Sequence, residues 1–342
     1  MKKLKVVSLF SGCGGADLGL LGGFWFLGKH YKRLSTSVVF ANDVDKYAVE
    51  TYKKNFPHPI SDDDIRKIKS TDIPEHDILV GGFPCQTFSI VGQREGISDL
   101  RGQLFLEMAR ILKDRQPSVF VGENVKGLVN LQKGKILDLI IKRFEDSGYN
   151  VIFKVLNSAN YGIPQKRERV FIIGFRKDLQ TSFEFPETID GFVPLKSVLQ
   201  KEFDKRYIFS KRAVEGLKKS NKAFNKGRVQ DPELPCNTIN SHLAKVSLNG
   251  TDPVLLLDGK KDSYRRFTPL EASRIQSFPD TFEFPVSEFQ TYKQIGNAIP
   301  PVLMWHLTTS IITALKTAKS KPKARKVRIA DEFENAPLFA HL

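Results

Sequence analysis

LKVVSLFSGCGG, residues 4–15, is the stretch that decides the fold. Its first seven residues form a mostly apolar run of the kind a strand buried on both faces carries. The small-residue turn SGCGG then hands the chain to a helical segment from about Ala16. A strand, a glycine turn and a helix in that order form the opening unit of a parallel α/β sheet.

The unit repeats downstream. SVVFAN (37–42) reads as a strand, DKYAVETYKKNF as a helix, and DILVGG (77–82) as a third strand ending in a loop. GQLFLEMARILKD has helical periodicity, PSVFVGE is strand-like, KILDLIIKRFEDSG is helical, and NVIFKVLNS and RVFIIGF are strands. Six or seven β units therefore precede residue 178, and the fold class is α/β with a doubly wound, mostly parallel sheet. Ligands of such sheets gather at the carboxyl ends of the strands. Past Phe175 the character changes, and about 179 to 262 is rich in lysine, phenylalanine and proline without strand–helix alternation. TPLEASRIQSF then looks helical, QTYKQIGNAIPP looks like a turn, and PVLMWHLTTSIITALKTA looks like an amphipathic helix that docks on the first lobe. The expected organisation is a catalytic and cofactor-binding domain over 1–178 and a smaller domain over 179–290. A returning helix over 291–320 and a basic tail over 321–342 complete it.

The 342 residues are 41% hydrophobic and 27% charged, which excludes the compositions typical of disorder and suits a packed core. A formal charge of +15 favours a polyanionic partner, because basic side chains that neutralise phosphates release condensed counterions. The charge is clustered. Eleven Lys/Arg lie between Lys196 and Arg228 against three acidic residues, interleaved with Phe203, Tyr207, Phe209 and Phe224. Seven more occupy KTAKSKPKARKVR (316–328), which reads as a tail. Cys13, Cys85 and Cys236 are odd in number and widely spaced, which fits neither a disulfide framework nor a zinc site. Neither a signal peptide nor an apolar run of membrane length is seen, so no membrane, no metal and a reducing cytoplasm are expected.

Several residues stand where chemistry gathers. The glycines of FSGCGG (10–15) let the backbone approach a nucleotide-like cofactor, or serve only to turn the chain. As a dinucleotide fingerprint the stretch is poor, because the third glycine position holds Asp17; this counts against a nicotinamide-dependent dehydrogenase. Asp43, ending the second strand, suits either ribose hydroxyls or a helix cap. Asp64 suits either an adenine amino group or a solvated loop. Cys85 follows Pro84 directly after a buried strand, at the rim where substrates bind, and is either a nucleophile or a structural thiol.

The company Cys85 keeps bears on that choice. FSGCGG, NDVDKYA, GGFPCQTFS, GENVKGL, IPQKRERVFIIG, RRFTPLEASRIQSFPD and YKQIGNAIP occur in one order along the chain. Motif after motif, the sequence resembles the DNA (cytosine-5) methyltransferases of bacterial restriction-modification type. The resemblance implies the S-adenosylmethionine-dependent methyltransferase fold with a target-recognition domain, S-adenosylmethionine as donor, S-adenosylhomocysteine as product, and duplex DNA as partner of a monomeric enzyme. It implies Cys85 as the nucleophile that adds to carbon-6 of a flipped-out cytosine. Glu123 of GENV would hold nitrogen-3 and the exocyclic amine, with its pKa raised by burial. Arg167 and Arg169 would lie near the target base. Phe10, Gly12, Gly14, Asp43, Asp64, Pro84 and Asn297 would form the cofactor pocket, Pro84 also fixing the approach to Cys85, while Gly92 and Gly96 would serve a loop closing over DNA.

Two departures stand out. FWFLGKHYKRLSTS is inserted before NDVDKYA, and Val44 stands where an aromatic residue is common near the adenine. In PCNTINS, Thr238-Ile239 resembles the Thr-Leu core of a target-recognition domain, and Cys236 beside it reads as structural. A transfer RNA cytosine-5 methyltransferase and a catalytically silent DNA-binding relative are the alternatives. Amino-methylating enzymes are disfavoured, because their Pro-Pro-aromatic motif is missing.

Overall fold

The computed structural model describes residues 3–83, 104–219, 228–244, 252–257 and 263–320. Pro84, Cys85, Gly92, Gly96, Phe224 and the 321–342 tail lie outside the described residues.

The chain opens with β1 (Leu4–Leu9), α1 (Gly15–Leu21), β2 (Phe24–Phe26), β3 (Lys29–Tyr31), β4 (Thr36–Asn42), α2 (Lys46–Asn55), β5 (Ile60–Ser61) and β6 (Ile78–Gly82). It continues with α3 (Leu104–Arg115), β7 (Val119–Val125), α4 (Lys135–Asp146), β8 (Tyr149–Asn157), β9 (Gln165–Lys166) and β10 (Glu168–Arg176). Seven of these strands make one sheet in the order β5-β4-β1-β6-β7-β10-β8. Pairing is parallel from β5 through β7, and β10 runs antiparallel to both neighbours. The segment joining β8 to β10 has no crossover helix to bring the chain back for parallel pairing, so β10 returns antiparallel.

Alternation along the central strands sends side chains into two cores. Val6, Ile78, Val119 and Val121 face one, shared with α1 and the long C-terminal helix. Val7, Leu79 and Phe120 face the other, shared with α3 and α4. All seven are essentially fully buried, which is why these strands read as continuous apolar runs. The expected doubly wound sheet is therefore present.

Beyond β10 come α5 (Lys211–Lys219), α6 (Pro269–Ile275), α7 (Glu288–Asn297) and α8 (Pro301–Thr317), with short strands and 3-10 turns between. Thr268 and Glu271 form a reciprocal capping box that starts α6, with Pro269 in its first turn. Leu195, Val198, Cys236, Ile239 and Leu243 join the same core as α1 and α8.

One local expectation changes, and one insertion takes shape. QTYKQIGNAIPP is not a turn: through Asn297 it is helix α7, capped by Ser287 and packed through Thr291, Tyr292, Gln294 and Ile295. Gly296 and the prolines disguise the helix, because they mark its end rather than a loop through the segment. The inserted FWFLGKHY forms a hairpin, β2 against β3, turned by Leu27 and Gly28 at φ 46° and 74°. Three-residue strands are too short to show a period. Glu288–Thr317 is long and apolar enough to cross a membrane by length and composition, yet 67% of its most apolar window is buried inside the molecule.

Candidate active site

A cavity of about 710 Å³ opens at the carboxyl ends of β1, β4, β6 and β7. Its size is in the range of small-molecule and cofactor sites. Phe10 and Gly12 from the turn after β1, Asp43 after β4, Gly82 and Phe83 ending β6, and Glu123 from β7 line it. Arg167 and Arg169 reach it beside β10, and Gln294 and Asn297 reach it from α7. Seven residues expected from sequence thus meet in one space: Phe10, Gly12, Asp43, Glu123, Arg167, Arg169 and Asn297.

The turn after β1 is braced by Asp43, whose carboxylate accepts the Gly12 amide at 2.7 Å and the Asp45 amide at 2.8 Å. Burial raises the Asp43 pKa above the usual carboxylate value. Each oxygen keeps a lone pair for a hydroxyl donor. Asp45 caps α2 and receives Lys293 of α7 at 2.6 Å, tying two walls together.

Glu123 stands on a central strand opposite Phe171 of β10, and Arg169 Nε lies 3.2 Å from its Oε1. Burial pushes the Glu123 pKa up, while Arg169 and Arg167 pull the other way. The net direction is upward. Next door, Asn124 Nδ2 donates to the Phe83 carbonyl at 2.8 Å, fixing the chain just before Pro84.

Arg167, expected near the target base, reaches the cavity with its guanidinium held by backbone carbonyls. It is fully buried, and its two terminal nitrogens donate to the carbonyls of Ile239 at 3.1 Å and Gly296 at 3.0 Å. Two expected cofactor residues are off the cavity wall. Gly14 begins α1 at φ 93°, where an added Cβ would sit 2.2 Å from the Phe56 ring. Packing, not ligand approach, demands glycine there. The Asp64 carboxylate is engaged by Arg66, which lowers its pKa to about 2. Cys236 is buried with its thiol pKa pushed up, as a structural cysteine should be.

Sequence reading missed Gln294, although it lies inside the YKQIGN motif. Among the described residues both atoms of its buried side-chain amide lack a partner, and it lines the cavity. Buried amides without hydrogen bonds are costly, so this one fits a ligand that carries both a donor and an acceptor. An added Cβ on Gly12 would meet nothing within 4 Å, leaving its backbone open to a ligand.

Comparison with known proteins matches residues 4–313 to the family described as C-5 cytosine-specific DNA methylase. The chain belongs to this family. It is 37% identical to the Type II methyltransferase M.FnuDI of Fusobacterium nucleatum, over 94% of this chain and 97% of that one. It is 35% identical to M.NlaX of Neisseria lactamica, over 94% and 99%. The S. pombe Dnmt2 methyltransferase structure superposes with a TM-score of 0.71 at 20% identity, covering 92% of this chain and all of that one (100%). The Entamoeba histolytica methyltransferase EhMeth gives 0.73 at 18%, covering 92% and 99%. Both structures share the fold.

As a C-5 cytosine-specific DNA methylase, the enzyme transfers a methyl group from S-adenosylmethionine to carbon-5 of cytosine in DNA. Among the described residues no His/Cys/Asp/Glu cluster fit to hold a metal occurs.

Asp17, where a dinucleotide site would have glycine, is wholly buried and accepts from Ser8 Oγ at 2.9 Å and Tyr52 Oη at 2.8 Å. Burial raises its pKa to about 6 from 3.8. The fold therefore binds this proton more tightly than the unfolded chain. The resulting stability is complete below the unfolded value and is lost as pH rises through about 6. Two units correspond to about 3 kcal/mol. Asp17→Asn is expected to remove that decline, seen as a flatter urea-unfolding free energy between mildly acidic and neutral pH. Superimposable pH profiles for the two proteins would exclude the assignment.

Proposed function

We propose that this enzyme methylates cytosine at a specific short duplex sequence through a covalent adduct between Cys85 and carbon-6 of a flipped-out base. The observation that carries the reading is Glu123: a half-buried carboxyl group of raised pKa, paired with Arg169, in the cavity that also contains the Gly12 turn and Asn297. Carbon-5 of cytosine is a poor nucleophile until something adds at carbon-6. Cys85 Sγ forms that bond, and the displaced ring electrons move toward carbon-5 and nitrogen-3. Glu123 hydrogen-bonds nitrogen-3 and the exocyclic amine as charge develops. Bound S-adenosylmethionine supplies a methyl group on a sulfonium, open to attack by the enriched carbon-5. Methyl transfer would break the sulfonium carbon–sulfur bond and leave S-adenosylhomocysteine; water then takes the carbon-5 proton, which restores the ring double bond and expels the Cys85 thiolate. Arg169 holds Glu123 in place.

Phe10, Gly12, Asp43 and Asn297 are the residues we assign to the donor, Gln294 joining them. The region 179–290 is assigned to target recognition, and Pro84 to presenting Cys85. The enzyme is read as a cytoplasmic monomer acting in restriction-modification, in line with the Type II naming of its relatives.

Bisulfite sequencing of DNA from cells expressing the protein should give the methylated sequence. An oligonucleotide duplex with 5-fluorocytosine at that position, incubated with S-adenosylmethionine, should then form a conjugate that survives denaturing electrophoresis, because fluorine cannot leave as the proton does. Turnover without a trapped conjugate would overturn the covalent route. Methylation of transfer RNA in preference to duplex DNA would overturn the substrate assignment.

A further inference from the structure

The segment around Ile239 is held unusually closely for a region that reads as variable. Its peptide N–H donates to Gln165 Oε1 at 3.0 Å, and its carbonyl accepts from Arg167 Nη1 at 3.1 Å. Cys236 and Asn237 pair in parallel with Gln165 and Lys166, and Thr238 Oγ1 donates to the Lys166 carbonyl at 2.7 Å. The two residues that grip Ile239 also hold the end of α7. Arg167 Nη2 donates to the Gly296 carbonyl, and the Gln165 amide reaches Gln276, whose own amide donates to the Ala298 carbonyl. Gly296 and Ala298 flank Asn297, which lies on the cavity wall. Two residues past Arg167, Arg169 pairs with Glu123.

The contact between the segment and α7 leaves no slack. A Cβ added to Gly296 would lie 2.1 Å from the Asn240 carbonyl carbon and 2.3 Å from the Ser241 nitrogen, so only glycine admits the segment here. Arg167 is a charge buried for this purpose. Its terminal nitrogens are engaged by carbonyls, its Nε has no partner, and burial together with Arg169 lowers its pKa to about 9, so it remains a cation at neutral pH. One of those carbonyls belongs to a helix carboxyl end, which favours a cation. A planar guanidinium spans two carbonyls in a fixed fork, which a lysine ammonium does not reproduce.

We infer that Gln165 and Arg167 are positioning residues that clamp the 236–243 segment to the donor-binding wall, so that filling the donor cavity steadies the segment that faces DNA. The clamp rests on the reading of this region as the recognition segment. It places Arg167 behind the site rather than against the base. Because linkage is reciprocal, duplex DNA docked on the segment must tighten donor binding by the same factor.

Hydrogen–deuterium exchange on the full chain, with and without saturating S-adenosylhomocysteine, tests this without turnover. In the unaltered protein the ligand should slow exchange of the 236–243 amides by about fivefold or more, the lower range of such couplings. In Arg167→Lys the ligand should still protect residues around Gly12 and Asn297 but leave 236–243 unchanged. Equal protection of 236–243 in both proteins, or none in the unaltered one, would overturn the clamp. Should Arg167→Lys fail to fold, Gln276→Met, which cuts both the bond from Gln165 and the bond to Ala298 while leaving Arg167 in place, must weaken the response. A second readout is the ratio of S-adenosylhomocysteine affinities with and without the mapped duplex, which should fall toward one in the variants; a merely structural role would lower the melting temperature and leave that ratio alone. No ligand binding by the unaltered chain would instead sink the donor-site assignment, and the clamp with it.

Discussion

Glu123→Gln is expected to lower the rate of methyl transfer by about a hundred- to ten-thousand-fold, the usual range for losing a positioned acid. The substitution keeps the size of the side chain and an N–H donor, so the cavity should stay intact and S-adenosylhomocysteine affinity nearly unchanged. It removes the titratable group whose pKa burial raises, and with it the ion pair that Arg169 Nε makes at 3.2 Å when that group is ionised. For the unaltered enzyme, the raised pKa predicts a rate that falls as pH climbs through it, because only the protonated form donates. Single-turnover transfer of a tritiated methyl group, measured across pH beside calorimetry with S-adenosylhomocysteine, separates chemistry from binding. Turnover equal to that of the unaltered enzyme would remove Glu123 from the mechanism.

Cys85→Ala is expected to be still more damaging, on the order of ten-thousand-fold or more, because it deletes the bond-forming group rather than one that stabilises charge. Without addition at carbon-6 the ring has no electron density to offer the methyl group. Duplex binding should survive, since phosphate contacts from the basic clusters supply most of it. Methyl incorporation and gel mobility shift, run on the same preparations, read the two properties apart. An active alanine variant would end the covalent proposal.

Much of the catalytic machinery is legible in the sequence because it is local. FSGCGG follows a strand, Asp43 ends one, and Glu123 sits within one, so each is delivered to the carboxyl edge of the sheet by the element that carries it. Arg169 and Asn297 were found by motif. The residues that fall off the cavity wall share one origin. Gly14 and Asp64 fall inside the right motifs, but whether a residue faces the cavity depends on neighbours distant in sequence or on a local ion pair: Phe56 against Gly14, and Arg66 against Asp64. Gln294 was passed over because a glutamine gains meaning only when its burial without partners is known.

By itself the sequence determined the doubly wound sheet, the family and most of the residues that line the cavity. Strand hydrophobicity and glycine turns act over a few residues, and motifs preserve their order along the chain. Only the tertiary structure decided that Arg167 donates to the Ile239 and Gly296 carbonyls, and that α7 is a helix on the cavity wall. Those outcomes depend on contacts between segments more than seventy residues apart, such as 167 with 239. No local propensity encodes such contacts; they follow from how separate elements bury their polar groups against one another.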